Sequence, residues 1–251
     1  MSDSDSNSDS DSDSESFVEC MIAPIPESET RQIVAGQAVS DIASTVKELV
    51  DNALDAGSKA INIKLFNGGL DKIEVSDDGC GIPTHSRPLV AMKHATSKLR
   101  TFSSLYEDTY AEGKIEKKQL GFRGEALFSM ANVSQNLIIM TQTQDDMIGQ
   151  ELEFRHDGYL NHSAVRDVQR KVGTTVTVVK LFNSLPVRRK DLEKRIKVQR
   201  ANMIRLMQAY AVLCVGVRFN VVDITGPVES YKQEVKLHTS ERSESVKETV
   251  S

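Results

Sequence analysis

The segment TVKELVDNALDAG, residues 45–57, places three polar side chains on one side of a predicted helix. Glu48, Asn52 and Asp55 follow one another at intervals of four and three residues, so they share one stripe between mostly apolar residues. Asn52 can offer an amide oxygen to Mg²⁺, which prefers oxygen ligands and often takes only one or two from protein when phosphates supply others. Glu48, one turn earlier, can hold and polarise a water molecule as a general base. An exposed polar helix face would show the same spacing.

A second candidate site follows a predicted strand, in the sequence Asp77-Asp78-Gly79-Cys80-Gly81. Glycines at alternate positions allow the backbone to approach a flat ligand or to adopt a positive φ. A carboxylate at the strand end can accept a hydrogen bond from the exocyclic amino group of adenine, where guanine presents a carbonyl. The alternative interpretation is an ordinary Asp-Gly turn.

Two further segments have residue types that suit phosphate. GFRGEAL, residues 121–127, is a glycine-rich turn that leads into a helix, whose free N–H groups and positive dipole end attract anions. HATSK, residues 94–98, offers hydroxyl groups and a lysine. A helix start with glycine caps and a polar loop are the alternatives. No Walker A motif occurs in the sequence.

A basic cluster near residue 190 suggests contact with DNA phosphates, although an exposed helix face explains it equally. Its members are Arg188, Arg189, Lys190, Lys194, Arg195, Lys197 and Arg200.

The elements that must position these residues can be predicted from hydrophobic periodicity and strand-forming composition. Helices are predicted over Thr30–Ser40, Ser44–Ala56, Leu120–Met130 and Asp191–Val215. Strands are predicted over Ala60–Phe66, Lys72–Ser76, Leu137–Thr141, Gly149–Arg155, Thr174–Leu181 and, as the last, Arg218–Asp223. Because helices and strands do not alternate strictly, the pattern favours an α+β fold, a two-layer α/β sandwich, over a doubly wound sheet.

Composition narrows the class of protein. Residues 1–16 carry six acids, alternating with serines, and no base, which predicts a disordered tail that either improves solubility or is phosphorylated. The net charge of −5 is therefore concentrated in this tail, and the rest is nearly neutral. Three widely spaced cysteines predict a reducing compartment, with neither a disulfide framework nor a zinc site. No apolar run is long enough to predict a membrane span.

Together, the motifs resemble a known family. KELVDNALDAG, SDDGCGI, HATSK and GFRGEAL, followed by GTTVTV, are similar to the GHKL ATPases, which bind ATP in the Bergerat fold, and within them to the MutL mismatch-repair proteins. The resemblance covers roughly residues 22–225. Gln37, where other branches usually have glutamate, and LFNSLPVR, residues 181–188, resemble the eukaryotic post-meiotic segregation branch.

This resemblance implies ATP and Mg²⁺ as cofactors and assigns a role to each motif residue. Glu48 would be the general base, Asn52 the Mg²⁺ ligand and Asp77 the adenine-binding residue. The other residues implied to contact the nucleotide are Gly79 and Gly81 beside the base, Thr96, Ser97 and Lys98 in a lid over the phosphates, Gly121, Phe122, Arg123 and Gly124 through their backbone, and Thr175 next to Asp77.

The resemblance also predicts a domain order: a tail over 1–16, a GHKL ATPase domain over 17–228, and the start of a second, transducer-like domain over 229–251. A charged insertion around Glu107–Lys118 lengthens the predicted lid. Members of the family continue through that second domain to a C-terminal dimerisation domain, so the chain is expected to be truncated and to hydrolyse ATP poorly.

The function implied is a slow ATP-hydrolysing switch in mismatch repair, acting in the nucleus with mismatched DNA and a second MutL homologue in a heterodimer, and without a membrane. Two alternatives stay open. One is a regulatory or interaction fragment that does not hydrolyse ATP. The other is a different GHKL protein such as a chaperone, topoisomerase or histidine kinase, although GFRGEAL argues against it.

Overall fold

We describe residues 26–93, 124–227 and 230–239 of a computed structural model. Within these ranges four α-helices and eight strands are present. The helices are α1 (Glu27–Ala38), α2 (Ile42–Asp55), α3 (Ala126–Val133) and α4 (Pro186–Leu213). The strands are β1 (Ala60–Phe66), β2 (Lys72–Asp77), β3 (Asn136–Gln142), β4 (Gly149–Phe154), β5 (Arg166–Val168), β6 (Gly173–Val179), β7 (Arg218–Thr225) and β8 (Lys232–His238).

The strands form one sheet in the order β5-β4-β3-β6-β2-β1-β7-β8. Neighbouring strands are antiparallel except for β1 and β7, which are parallel and pair Ala60 with Arg218. Asp77 and Thr141 both pair with Thr174, so the last residues of β2 and β3 lie beside the first residues of β6. The segments that follow β2 and β3 and the segment that precedes β6 therefore meet at one end of the strands.

One face of the sheet and the helices together enclose the core. Along β1, Ile61, Ile63 and Leu65 are fully buried whereas Lys64 between them is exposed, as expected for a strand with one covered face. Val46 and Val50 of α2 are fully buried in the same cluster. The fold is thus a two-layer α/β sandwich, which confirms the predicted class.

The predicted elements agree best with the observed ones where the sequence is rich in β-branched residues. β1 has the predicted bounds, and β2 ends one residue later than predicted. Helix α3 spans Ala126–Val133, whereas the prediction was Leu120–Met130, of which residues 120–123 lie outside the described residues. Helix α4 begins at Pro186, five residues before the predicted start, because proline suits the first turn of a helix, where no N–H partner is needed.

Two strands were not predicted, and the prediction that Arg218–Asp223 is the last strand is wrong. β5 has only three residues, and β8 has the charged sequence KQEVKLH. Both lie at the edges of the sheet, where charged side chains are tolerated and the hydrophobic alternation is weak. Because β8 pairs with β7, the sheet of this domain continues past the predicted boundary at residue 228.

In the part of the chain that the structure describes, no helix is both long and apolar enough to cross a membrane.

Candidate functional site

Helix α2 carries the polar stripe and is firmly fixed at its start. Asp41 accepts a hydrogen bond from the Ser44 amide at 2.7 Å, and the Ser44 hydroxyl accepts one from the Asp41 amide at 3.0 Å, which forms a capping box. Glu48, Asn52 and Asp55 are all half-buried. The stripe therefore lies at the margin of the core, where a ligand can reach it.

A buried carboxylate that the motif analysis missed lies one residue before Asn52. Asp51 is 2% exposed and accepts hydrogen bonds from the Lys47 ammonium and the Tyr210 hydroxyl, each at 2.6 Å. The bond to Asp51 raises the pKa of Lys47, and burial together with that carboxylate raises the pKa of Tyr210. Lys47 Nζ is 3.6 Å from Glu48 Oε1, so Asp51 holds this cation beside the predicted base.

Asp77, the predicted adenine-binding residue, is joined to the end of α2 through Ser58. The Ser58 hydroxyl lies 2.6 Å from the carbonyl of Ala53 and 3.2 Å from Asp77 Oδ1, and the amide of Gly79 donates to the same oxygen at 2.8 Å. Burial raises the pKa of Asp77 in spite of these donors. The amide of Cys80 also donates to Ala56 at the end of α2, at 3.1 Å. The E-x-x-x-N helix and the D-x-G-x-G loop thus meet.

The glycines of this loop are required by close packing. A Cβ at Gly79 would lie 2.7 Å from the Ser58 hydroxyl, 2.8 Å from the Cβ of Ala56 and 2.9 Å from Asp77 Oδ1. Gly81 has a φ of +76°, and its Cβ would lie 2.2 Å from the carbonyl oxygen of Gln142. The loop therefore has no room for side chains at these two positions, and Gly81 has the positive φ that was one of the two predicted reasons for a glycine.

The structure corrects the threonine predicted beside Asp77. Thr174 pairs with Asp77, whereas Thr175 pairs with Ser76 and donates to its hydroxyl at 2.8 Å. Since successive side chains of a strand point to opposite faces, Thr175 lies on the face away from Asp77. Thr174 shares the face of Asp77, and its hydroxyl lies 3.3 Å from that of Thr141 on β3.

The predicted phosphate-binding segments are only partly described. Thr96, Ser97 and Lys98 of the predicted lid, and Gly121, Phe122 and Arg123 of the glycine-rich turn, lie outside the described residues. Gly124 has a φ of +61° and precedes Glu125, the residue immediately before α3. The glycine thus permits the turn into the helix.

The basic cluster at α4 divides into two groups. Arg188 donates to the carbonyls of Gly36 and Val39 at the end of α1, and Arg189 donates to the Leu70 carbonyl at 2.7 Å. The remaining paired arginines are Arg195, 3.7 Å from Asp191, and Arg200, 2.6 Å from buried Asp223.

The lysines of the cluster form the second group. Lys190, Lys194 and Lys197 are exposed and form no hydrogen bond or ion pair with another described residue. A cavity of about 270 Å³ borders Lys197 but lies near Gly68, at the opposite end of the strands from Asp77. It is therefore separate from the candidate nucleotide site.

The donor set of the site fits a magnesium nucleotide. The half-buried carboxylate of Asp77, held by Ser58 and by the amide of Gly79, suits the amino group of a base, and the amide oxygen of Asn52 suits Mg²⁺. Among the described residues, no three His, Cys, Asp or Glu side chains are grouped so as to hold a metal ion. A Mg²⁺ ion at Asn52 would therefore depend on phosphate oxygens for further ligands.

Comparison with known proteins agrees with this geometry. Residues 39–172 match the family described as histidine kinase-, DNA gyrase B-, and HSP90-like ATPase. A crystal structure described as the N-terminal domain of a DNA repair protein matches with a TM-score of 0.72 and 33% identity, over 87% of this chain and 58% of that one. The Aquifex aeolicus MutL ATPase domain complexed with ADP matches with a TM-score of 0.54 and 26% identity, over 74% of this chain and 60% of that one.

The chain belongs to this GHKL ATPase family and contains the ATP-binding module of that class. More particularly, it is homologous to the MutL and PMS proteins of DNA mismatch repair. DNA mismatch repair protein PMS1 of Arabidopsis thaliana is 40% identical over 82% of this chain. The chain spans about a fifth of the length of that relative, since it covers 21% of it.

Proposed function

We propose that this domain binds Mg·ATP between α2 and the loop after β2 and hydrolyses it slowly, as a conformational switch of a mismatch-repair protein. The observation that carries the proposal is the contact of Ser58 with both elements, which joins the Asp77 carboxylate to the helix of Glu48 and Asn52. A slow switch fits better than a motor, because one carboxylate and one amide provide few groups to stabilise a transition state.

Each residue has a definite task in this proposal. Asp77 accepts a hydrogen bond from the adenine amino group, and the glycines after it let the loop pack closely against Ser58 and Gln142, which holds that carboxylate in place. Asn52 offers its oxygen to Mg²⁺, which when bound neutralises phosphate charge. Glu48 holds a water molecule and takes its proton as that water attacks the terminal phosphorus, while the bond from that phosphorus to the bridging oxygen of the β-phosphate breaks and ADP leaves with phosphate as the other product. Asp51 keeps Lys47 in place, so the charge next to Glu48 is fixed.

Calorimetric titration with Mg·ATP tests the binding. We expect Asp77→Asn and Asn52→Ala to weaken ATP binding strongly. Asp78→Asn is the matched control, because Asp78 Oδ1 accepts backbone hydrogen bonds from Lys59 and Ala60, a role that an asparagine oxygen can keep. A folded parent chain that binds no ATP, or equal loss in Asp78→Asn, would refute the proposal.

Single-turnover hydrolysis tests the catalytic assignment separately. We expect Glu48→Ala to retain Mg·ATP and to lose hydrolysis, because the base acts on water and not on binding. Unchanged hydrolysis in this variant would exclude Glu48 as the base. If the parent binds ATP without hydrolysing it, the regulatory alternative replaces the switch.

We also propose that the exposed side of α4 meets the backbone of DNA, in the nucleus and alongside a second MutL homologue in a heterodimer. The supporting observation is the separation of the basic cluster described above. Lys190, Lys194, Lys197 and the exposed Arg205 fall within an arc of roughly 80° over about 22 Å of helix. The acids of α4, Asp191 and Glu193, pair instead with arginines outside this stripe.

Binding of a fluorescent duplex at several salt concentrations tests the stripe. Replacing its three lysines by glutamine should weaken binding. The slope of the logarithm of the binding constant against the logarithm of the salt concentration should become less steep by the contribution of about three phosphate contacts, because each contact releases counterions. Three exposed lysines elsewhere, Lys59, Lys171 and Lys232, give a control with the same loss of charge. Equal effects of the two sets would show that only net charge matters.

A further inference from the structure

Arg87 is a buried arginine next to the proposed base-binding loop, and no motif points to it. It lies on a short 3-10 helix, Thr84–Leu89, and is 3% exposed. Its Nε donates to the Ile82 carbonyl at 3.0 Å and its Nη1 to Gln150 Oε1 on β4 at 2.7 Å. Its Nη2 donates to the Asp146 carboxylate in the turn between β3 and β4. One guanidinium thus joins three separate segments.

Asp146 is itself fixed by the turn that carries it. Its Oδ2 accepts hydrogen bonds from the amide and the hydroxyl of Thr143, both at 2.8 Å, and its Oδ1 accepts one from Thr84 at 3.2 Å. These bonds, with the Arg87 charge, lower the pKa of Asp146 to about 2. The carboxylate therefore stays ionised at neutral pH, and Arg87 has a rigid partner.

The contact with Ile82 connects this network to the loop of Asp77. The Ile82 amide donates to the Thr141 hydroxyl at 2.8 Å while its carbonyl accepts from Arg87, so both polar groups of its backbone are held. Ile82 directly follows Gly81, whose backbone packs against the Gln142 carbonyl. The far end of the glycine loop is thus fixed from two sides.

We propose that Arg87 is a positioning residue for recognition of the nucleotide base. Arg87 holds Ile82 against β3, and Ile82 in turn fixes the position of the loop from Asp77 to Gly81. In this position the Asp77 carboxylate can accept a hydrogen bond from an amino group of the base. The inference rests on the proposed ATP site. A contact that only stabilised the turn between β3 and β4 would affect every nucleotide alike.

The test is the preference for ATP over GTP, measured from the two dissociation constants with Arg87→Lys. Lysine keeps a cation for Asp146 but cannot also reach the Ile82 carbonyl and Gln150 with a planar fork. We expect the preference for ATP to fall about tenfold, the size of effect of losing a hydrogen bond from a charged donor. Gln150→Ala, which removes only the contact on the side of β4, is the matched control and should keep the preference.

A double-mutant cycle with Asp77→Asn completes the test. Once Asp77 no longer selects adenine, Arg87→Lys should have little further effect on the preference, so the two changes should be non-additive. An unchanged preference in Arg87→Lys, or additive effects, would overturn the inference while ATP binding by the parent still stands. Absence of ATP binding by the folded parent would instead refute the proposed function. Should Arg87→Lys fail to fold, Asp146→Asn, which removes the ionic partner of Arg87, should reduce the preference in the same direction.

Discussion

Replacing Gly81 by alanine is expected to damage nucleotide binding far more than the loss of backbone freedom alone. At a φ of +76°, an L-residue costs roughly 1 kcal/mol or somewhat more. In addition, the new Cβ would lie 2.2 Å from the carbonyl oxygen of Gln142, so loop and strand must separate by about 1 Å to reach ordinary contact. Such repacking costs about 1–3 kcal/mol, giving a total loss of stability of about 2–4 kcal/mol.

Gly57 offers a control for the same substitution. It has a φ of +78°, but nothing lies within 4 Å of the position of a Cβ. Gly57→Ala should therefore cost only about 1 kcal/mol and leave ATP affinity nearly unchanged. Urea unfolding and calorimetry with Mg·ATP on both variants give the two quantities. Equal destabilisation of the two variants, or unchanged ATP affinity in Gly81→Ala, would refute the argument from the close approach to β3.

Three other perturbations test the buried polar groups. Tyr210→Phe should lower the free energy of unfolding by about 1–2 kcal/mol, because Asp51 keeps Lys47 but loses one donor, and a wild-type urea midpoint would contradict this. Arg200→Leu should cost about 2–4 kcal/mol in the same assay by leaving Asp223 buried without its cation, and a smaller loss than in Tyr210→Phe would contradict it. The folded pKa of Asp146, about 2, lies below its ordinary value of 3.8, so its stabilisation is complete above about pH 5 and is lost as pH falls towards 2. With 15% of this side chain exposed, about 1–2 kcal/mol should disappear over that range in the parent and not in D146N.

The sequence predicted the site where local spacing determines which residues share a face. The stripe of Glu48 and Asn52 followed from helical periodicity, and the loop after Asp77 from alternating glycines. The resemblance places Thr175 next to Asp77, whereas the structure pairs Thr174 with Asp77, because adjacent threonines differ in the face they occupy and only the pairing with β2 decides that face.

Buried polar partners could not be predicted in this way. Tyr210 lies 159 residues from Asp51, and Arg87 lies 59 residues from Asp146, so nothing local relates them. The basic cluster that predicts contact with DNA includes Arg188, but its guanidinium donates hydrogen bonds to carbonyls at the end of α1. A basic side chain on one helix can cap the C-terminal carbonyls of another helix, and the sequence does not distinguish this role from binding to phosphate. The start of α4 at Pro186 could have been predicted locally, because proline is favoured at the first position of a helix.

The parallel pairing of β1 with β7 affects when β1 can complete its hydrogen bonds during synthesis of the chain. Ala60 can pair with Arg218 only after a further 158 residues have been synthesised, whereas β2 follows β1 almost at once. At roughly 5–20 residues per second, one edge of β1 stays without a partner for about 10–30 s after it leaves the ribosome. The edge presents unpaired N–H and C=O groups on a strand that contains Ile61, Ile63 and Leu65, which favours wrong pairing with other chains. Production of this domain should therefore benefit from a low concentration of nascent chains or from chaperones that cover exposed strands.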